Sequence, residues 1–558
     1  MKGILGMNRV TRKKSLIQNK ELVPVAIILL AFGVRVAIAR LDHVLQGDEG
    51  AYLWLGKTLM SGGGYAFFGR PETHYTPFYP IVSGLVWLLV RDLETASKVC
   101  FVLFGTLTLI PVYLLSRRIY GWREACVTAA LLAVLPALTS YIFYWGSMTE
   151  PLYFFLVFWA AYASLMALRT DRWPAYGAAG VLFGLAYLTR PEGLVFLVAV
   201  WAFLLIARWC ERSSWPRGTA GNLAIMLTAF LLVASPYLVY LRGATGRWTF
   251  TGKTLITYKM LRSMSERDLI TYDKITWGLD STGDEVMYHS KEKFESSMIE
   301  EIRSHPREFV AEVLRNARQL DSYLLSKRIL PFFLLPLIGL ALFRTLWDRR
   351  RLWDELYLIV LFLVPLISFL PFGITLRYIL GTLFIVMIWV GRGIAELARW
   401  VAGTVYELSA GQRNVARWET SVVLVCGVIL VGYFLALQPA FIGEGQASMR
   451  FDYKTVGEWL GAHTPSDATI MARGAIVAIH ANRDWEPFPH ASYEEVLAYA
   501  RRHGVDYIVV NQHEFEVMRP HLAFLADPKQ APAELEPVVI YRDSQGATVA
   551  YRLLDKVR

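Results

Sequence analysis

Cysteine is scarce in this chain: four in 558 residues. Cys100, Cys126, Cys210 and Cys426 each lie within or at the edge of an apolar run, and no CxxC pair occurs. Neither a disulfide framework nor a cysteine metal site is therefore expected. The chain also lacks a GxGxxG and a P-loop signature, so no motif points to nucleotide binding. It shows no internal repeat, which counts against a transporter built from duplicated halves. Charge is sparse too, at 19% of residues against 55% hydrophobic, with a mean hydropathy of +0.37. A soluble chain of this length is seldom so apolar.

What is present is a series of apolar runs of about 17–22 residues separated by Arg and Lys clusters, the pattern of a polytopic α-helical membrane protein. Candidate membrane helices are 22–40, 77–91, 96–116, 123–143, 150–168, 175–189, 192–209, 221–241, 329–346, 355–371, 375–396 and 420–438, for about 11–13 crossings. Many of the 18 tryptophans, such as Trp145, Trp209, Trp248 and Trp347, fall near run ends, where interfacial belts form. The net charge of +10 sits largely in short loops such as Arg117-Arg118 and Arg349-Arg350-Arg351. There it orients helices, and no nucleic-acid partner is expected. Ala37-Ile38-Ala39 looks like a signal-peptidase site, but a retained first helix is expected, because it would anchor the acidic motif that follows.

The basic loops divide the chain into a cytoplasmic basic tail (1–21), a transmembrane domain (22–440) and a soluble extracytoplasmic α/β domain (441–558). The transmembrane domain has a first outer loop (40–76) and a long polar outer loop (242–328), long enough to act as a lid. Twelve full crossings would return the C-terminus to the cytoplasm. Segment 77–91, short and broken by Pro80 and Gly84, is expected to dip in or lie along the interface instead. In the last domain, Tyr453–Ala462 reads as a helix, Thr469–Ala472 as a strand, Tyr493–His503 as an amphipathic helix and Asp506–Asn511 as a buried strand. Residues 537–542 and 547–553 read as a hairpin.

Chemistry concentrates at a few places. Asp48 and Glu49, in Gly47-Asp48-Glu49-Gly50-Ala51-Tyr52, form an acid pair just after the first apolar run. They are either a solvated turn or a base that takes a proton from an acceptor, with the second carboxylate orienting the first or shifting its pKa. Glu150 precedes Pro151 at a helix start, where an acid suits the helix dipole or faces the same cavity as Asp48. Arg190 and Glu192, in Thr189-Arg190-Pro191-Glu192-Gly193, join two apolar runs. They form a surface turn, or Arg190 contacts a phosphate or carboxylate. Arg377 and Tyr378 open a helix on the outer side, where Arg377 either snorkels to headgroups or anchors a donor phosphate. His74, Tyr75 and Arg35 are weaker candidates. His43 and His74 with Asp48 make a divalent metal possible, though the spacing is nonspecific.

The acid pair in Gly47–Tyr52 resembles the first-loop motif of GT-C class glycosyltransferases. Tyr75-Thr76-Pro77-Phe78-Tyr79-Pro80, Met148–Pro151, Leu188–Gly193 and Leu376-Arg377-Tyr378 resemble stretches of the protein O-mannosyltransferase and lipid A aminoarabinose transferase branch. The likeness covers most of 22–400, and the order of the motifs is more specific than any one of them. It implies a polyprenyl-phosphate sugar donor, transfer on the outer face of a bacterial inner membrane, Asp48 as general base and Glu150 as a second acid. Arg190 and Arg377 become candidates for the lipid phosphate, and the acceptor is a protein, lipid or glycan. Two departures stand out. Tyr75-Thr76 occupies the place where the aminoarabinose transferases carry a lysine, and Phe78 replaces the second proline of a pair. A flippase of lipid-linked saccharides, and a polysaccharide polymerase or ligase using lipid diphosphates, are the rival readings.

Overall fold

The computed structural model describes residues 2–145, 149–211, 217–253, 255–295, 298–325, 329–373, 375–409, 411–412, 414–543 and 546–554, without the side chains of 2–20, 211, 217 and 321. Ser147 and Met148, part of the expected outer turn, lie outside the described residues.

Apolar helices dominate. They are α1 (Lys2–Ala39), α2 (Gly47–Met60), α3 (Phe78–Val90), α4 (Leu93–Leu107), α5 (Leu109–Ile119), α6 (Trp122–Val134), α7 (Ser140–Trp145), α8 (Thr149–Thr170), α9 (Trp173–Thr189), α10 (Gly193–Glu211) and α11 (Arg217–Thr245). The polar loop then carries α12 (Leu255–Ser265), α13 (Leu269–Trp277), α14 (Met298–Ser304) and α15 (Pro306–Leu324). Finally α16 (Leu335–Phe343), α17 (Arg349–Phe369), α18 (Leu376–Leu408) and α19 (Val415–Ala447) return to the bundle. Among the described residues, eight helical segments are long and apolar enough to cross a membrane. The α6–α7 pair, broken at Pro136, together with α9 and α16, adds shorter helices to the bundle.

Helix α3 does not cross. Its 13 residues span about 20 Å at 1.5 Å per residue, short of the ~30 Å hydrocarbon core. Both its ends lie on one face: Glu94, just beyond it, pairs at 2.8 Å with Lys454 of the C-terminal region, which also packs on α2. Helices α2 and α3 touch backbone to backbone. A Cβ on Gly84 would stand 2.5 Å from the Gly56 carbonyl oxygen, and one on Gly56 2.5 Å from that of Pro80. Only glycine fits such an approach.

The last domain is a mixed five-stranded sheet with helices. After the two short loop strands β1 (Ala66–Phe67) and β2 (Arg70–Pro71), its strands are β3 (Thr469–Ala472), β4 (Asp484–Pro487), β5 (Tyr507–Asn511), β6 (Leu535–Asp543) and β7 (Gly546–Leu553). Their order is β4-β3-β5-β7-β6, with β3 parallel to both β4 and β5 and the rest antiparallel. Helices α20 (Phe451–His463), α21 (Ile476–Ala481), α22 (Tyr493–Arg502) and α23 (Gln512–Met518) complete it. Helix α2 is wedged against this domain: Ala51 and Leu55 share a core with Val456, Leu460 and Val477, and a Cβ on Gly50 would meet Ile476.

The polar loop is clamped to the same domain chiefly through Asp273. Asp273, fully buried, takes Arg473 at 2.6 Å, Arg519 at 2.7 Å and His490 at 2.9 Å. Burial alone would raise its pKa; the His490 hydrogen bond and the two guanidinium groups outweigh it and hold the carboxyl well below the usual range. Its stabilisation is therefore present above the unfolded carboxylate pKa and lost only as pH falls through the depressed folded value. Asp273→Asn leaves Arg519 buried without its counter-charge, and is expected to cost about 3–5 kcal/mol. Thermal unfolding of the two proteins at neutral pH measures that loss, and the difference should shrink in acid.

Candidate functional site

The first turn of α2 splits the acid pair, because adjacent helical residues point about 100° apart. Glu49 turns inward and is fully buried. Its carboxylate meets His43 Nε2 at 3.0 Å and accepts from Ser97. This corrects the expectation that Glu49 shares the site with Asp48: it is tied off on the far side of the helix. The same geometry removes the suggested metal set, since His43 faces Glu49 and not His74. Among the described residues no group of three His, Cys, Asp or Glu side chains is arranged to hold a metal ion. Arg35 also stays apart, donating to the Ala31 and Ala133 carbonyls inside the bundle.

Asp48 faces the other way, with 44% of its side chain exposed. Tyr75 Oη donates to its Oδ1 at 3.0 Å, and Arg377 Nη1 to its Oδ2 at 3.3 Å. Arg377 Nε reaches Glu150 Oε1 at 2.5 Å. Arg190 Nη1 donates to that same oxygen at 2.7 Å, and Arg190 Nη2 to Glu192 at 3.4 Å. Residues drawn from α2, the 61–77 loop, α8, the α9–α10 turn and α18 thus form one continuous chain of charges. Glu150 and Arg190 are buried, where unpaired ions would be costly.

Local chemistry fixes these positions. Asp48 stands in the first turn of its helix, where the dipole favours an anion. Glu72 folds the 72–75 loop by accepting the amides of His74 and Tyr75. Tyr240 pins the Glu72 carbonyl at 2.7 Å. Thr76 Oγ1 donates at 2.7 Å to the Thr189 carbonyl, next to Arg190. Tyr378 stacks flat on Phe369, centroids 4.0 Å apart, and so ties α18 to α17.

Lys253 is the residue that the sequence reading missed. It comes from the polar loop, which is docked over the site: Tyr187 Oη donates to the Phe250 carbonyl at 2.6 Å, and Gly252 lies so flat on Thr73 that a Cβ there would stand 1.8 Å from the Thr73 oxygen. Lys253 is exposed. Burial of its surroundings lowers its pKa, opposed by the charges of Glu192 and Asp48. No sequence signal separated it from the other loop lysines, except that it follows the glycine of Thr251-Gly252-Lys253. Gly252→Val is expected to lift this segment and reduce kcat/KM about 100-fold, the scale of a 1 Å misplacement. Steady-state kinetics on the purified variant tests this.

Burial would raise the Asp48 carboxyl; Arg377, together with Lys253 and the Tyr75 hydrogen bond, outweighs it and the net shift is downward. His74 is pushed down to about 3, first by burial and then by Lys253, so its imidazole is neutral at physiological pH.

Below the charges, Tyr153, Phe154, Phe158, Phe196, Leu361 and Pro365 line an apolar cleft between α8, α10, α17 and α18, with Glu150, Arg190 and Arg377 at its mouth. Its free volume is about 30 Å³, room for a water or two. A charged mouth over an apolar cleft suits an amphiphile whose polar end carries an anion.

Residues 74–240 match the family model described as dolichyl-phosphate-mannose-protein mannosyltransferase. Two solved structures share the architecture across nearly the whole chain. The oligosaccharyltransferase AglB from Archaeoglobus fulgidus, in complex with an inhibitory peptide and a dolichol-phosphate, aligns at 15% identity and TM-score 0.57, over 95% of this chain and 74% of its own. ArnT from Cupriavidus metallidurans, bound to undecaprenyl phosphate, aligns at 13% identity and TM-score 0.58, over 95% of this chain and 98% of its own. The chain has the GT-C fold. No curated protein matches it significantly in sequence. Within this GT-C frame, the segment that matches the family model carries Tyr75, Glu150, Arg190 and Glu192, while Asp48, Lys253 and Arg377 lie outside it.

Proposed function

We propose that this GT-C protein transfers a sugar from a polyprenyl-phosphate carrier to an acceptor, with Asp48 as general base. The observation that carries the reading is the placing of Asp48: a half-exposed carboxylate, held from two sides, at the mouth of an apolar cleft rimmed by Arg190 and Arg377. The prenyl chain enters the cleft as α17 moves from α8, and its phosphate meets the arginines. Glu150 and Glu192 hold those guanidinium groups in place. A planar fork with five N–H groups can keep one carboxylate contact and still bind phosphate. Lys253 supplies the further cation, in place of the lysine that Tyr75-Thr76 lacks. Transfer occurs on the outer face, where the first loop and the C-terminal domain lie, and the N-terminus is cytoplasmic in a bacterial inner membrane.

A carboxylate steadied by Arg377 is a weak base. When donor phosphate draws Arg377 toward itself, the Asp48 pKa rises and proton abstraction becomes easier. The departing lipid phosphate leaves against Arg190, Arg377 and Lys253, which stabilise the charge that develops on it. One displacement at the anomeric carbon, with inversion, completes the reaction. A product of retained configuration would reject the single displacement. The test of the function is a screen of lipid-monophosphate and lipid-diphosphate sugars in membranes, scored by release of free lipid phosphate from the former and of lipid diphosphate from the latter. Turnover with diphosphate donors alone would favour a polymerase or ligase.

A further inference from the structure

The far end of the bundle carries a second concentration of charge that the proposed reaction does not use. A cavity of about 540 Å³ opens between the ends of α5, α8, α10 and α17. Arg118, Arg169, Arg208, Arg349 and Arg350 line it, with Asp354 as the one carboxylate. It lies nearly a full helix away from the candidate site: on α8 (22 residues) Glu150 and Arg169 are about 29 Å apart at 1.5 Å per residue.

The floor of the cavity is built. Arg169 Nη2 donates to both oxygens of Asp354, at 2.9 and 2.8 Å. Its Nε and Nη1 are buried with no hydrogen-bond partner among the described residues. Arg208 is buried and donates through Nη2 to the Ala167 and Leu168 carbonyls, closing the end of α8. Arg118 and Arg350 stand exposed at the rim. Five guanidinium groups face Asp354 and, 3.7 Å from Arg208, Asp171, which leaves a positive surplus. That surplus points to an anion, and the planar fork of arginine matches phosphate oxygens.

We infer that this cavity binds the phosphate headgroup of an anionic membrane lipid. Its position favours a lipid over a soluble phosphate. Trp209 and Leu346, next to Arg208 and Arg349 in the chain, are 71% and 98% exposed, as side chains facing acyl chains and headgroups are. A basic pocket between the ends of membrane-spanning helices is the kind of site that meets lipid headgroups.

The test uses the full-length protein, delipidated and reconstituted with phosphatidylcholine alone or with added phosphatidylglycerol. Retained lipid is read by native mass spectrometry and stability by Tm. Phosphatidylglycerol should be retained and should raise Tm. The rim pair Arg118→Gln/Arg350→Gln, which spares the Arg169–Asp354 and Arg208 bonds, should weaken retention about tenfold or more. Arg501→Gln/Arg502→Gln, on the C-terminal domain, should not. Inorganic phosphate should compete with the lipid. A rise in Tm with inorganic phosphate but none with phosphatidylglycerol would overturn the lipid assignment in favour of a soluble phosphate. Equal retention by the rim variant and the wild type, or no retention by either, would reduce the cluster to a determinant of helix orientation.

Discussion

Asp48→Asn is expected to lower turnover by about 10²–10⁴-fold, the range ascribed to a general base, while donor binding survives. The amide can still accept the Tyr75 hydroxyl, so the loop keeps its place. What disappears is the lone pair that takes the acceptor's proton and the charge that occupies Arg377. Freed from that charge, Arg377 has more to give the phosphate, so donor affinity should hold or rise. Equilibrium binding of a lipid-phosphate sugar, alongside release of free lipid phosphate, separates the two quantities. Wild-type turnover in the variant would remove Asp48 as the base. A flippase would behave differently again, since moving lipid across the bilayer needs no group at a reacting centre, and its transport would continue in the variant.

The second large effect belongs to Arg377, which pairs with both Asp48 and Glu150. Arg377→Ala should raise KM for the donor and lower kcat together. Breaking a buried pair by removing one partner costs about 3–5 kcal/mol; here half-exposed Asp48 loses its paired cation while Glu150 keeps Arg190 at 2.7 Å, so the cost should fall at or below the low end. It should also move the acid limb of the pH profile. In the wild-type protein the free-enzyme limb, read from kcat/KM, lies below the ordinary carboxylate range, because Arg377 and Lys253 lower the Asp48 pKa. With Asp48 as the proposed base, activity needs the ionised carboxyl, so it should persist down to that depressed value and fall only below it. Without Arg377 the limb shifts upward. If donor phosphate draws Arg377 away during binding, the wild-type limb for kcat should already stand at higher pH than the limb for kcat/KM. Coincident limbs would refute that exchange. Arg377→Lys keeps a charge but not the fork, and should restore the pH profile more fully than the donor KM.

Apolar runs and strand patterns were legible in the sequence because burial writes a period into the chain. Thr469–Ala472 appears in the structure as read, and the C-terminal hairpin is only slightly longer than expected. Strand β4 was missed because Asp484-Trp485-Glu486-Pro487 neither alternates nor runs apolar; its pairing with β3, not its composition, makes it a strand. The break at Pro136 was missed inside a run that looked continuous. In the site, the charged residues at the mouth were visible as ions beside apolar runs, a placement that needs partners. Which partner each would find was not visible: Glu49 was grouped with Asp48 by adjacency, and helical geometry separates them. Lys253 was hidden for the opposite reason, since its charge is felt at Asp48 from some two hundred residues away in the chain, in a loop where lysine is ordinary.

The wedge of α2 between the bundle and the five-stranded sheet bears on how this protein can be shortened. A chain ending at residue 447 would keep every apolar pass and would insert normally. It would nonetheless strip the greasy flank of Ala51 and Leu55, and it would loosen the platform on which the reactive acid stands. Truncation should therefore yield a well-inserted but inert protein, and adding back the missing C-terminal domain as a separate polypeptide is a direct route to recovering it.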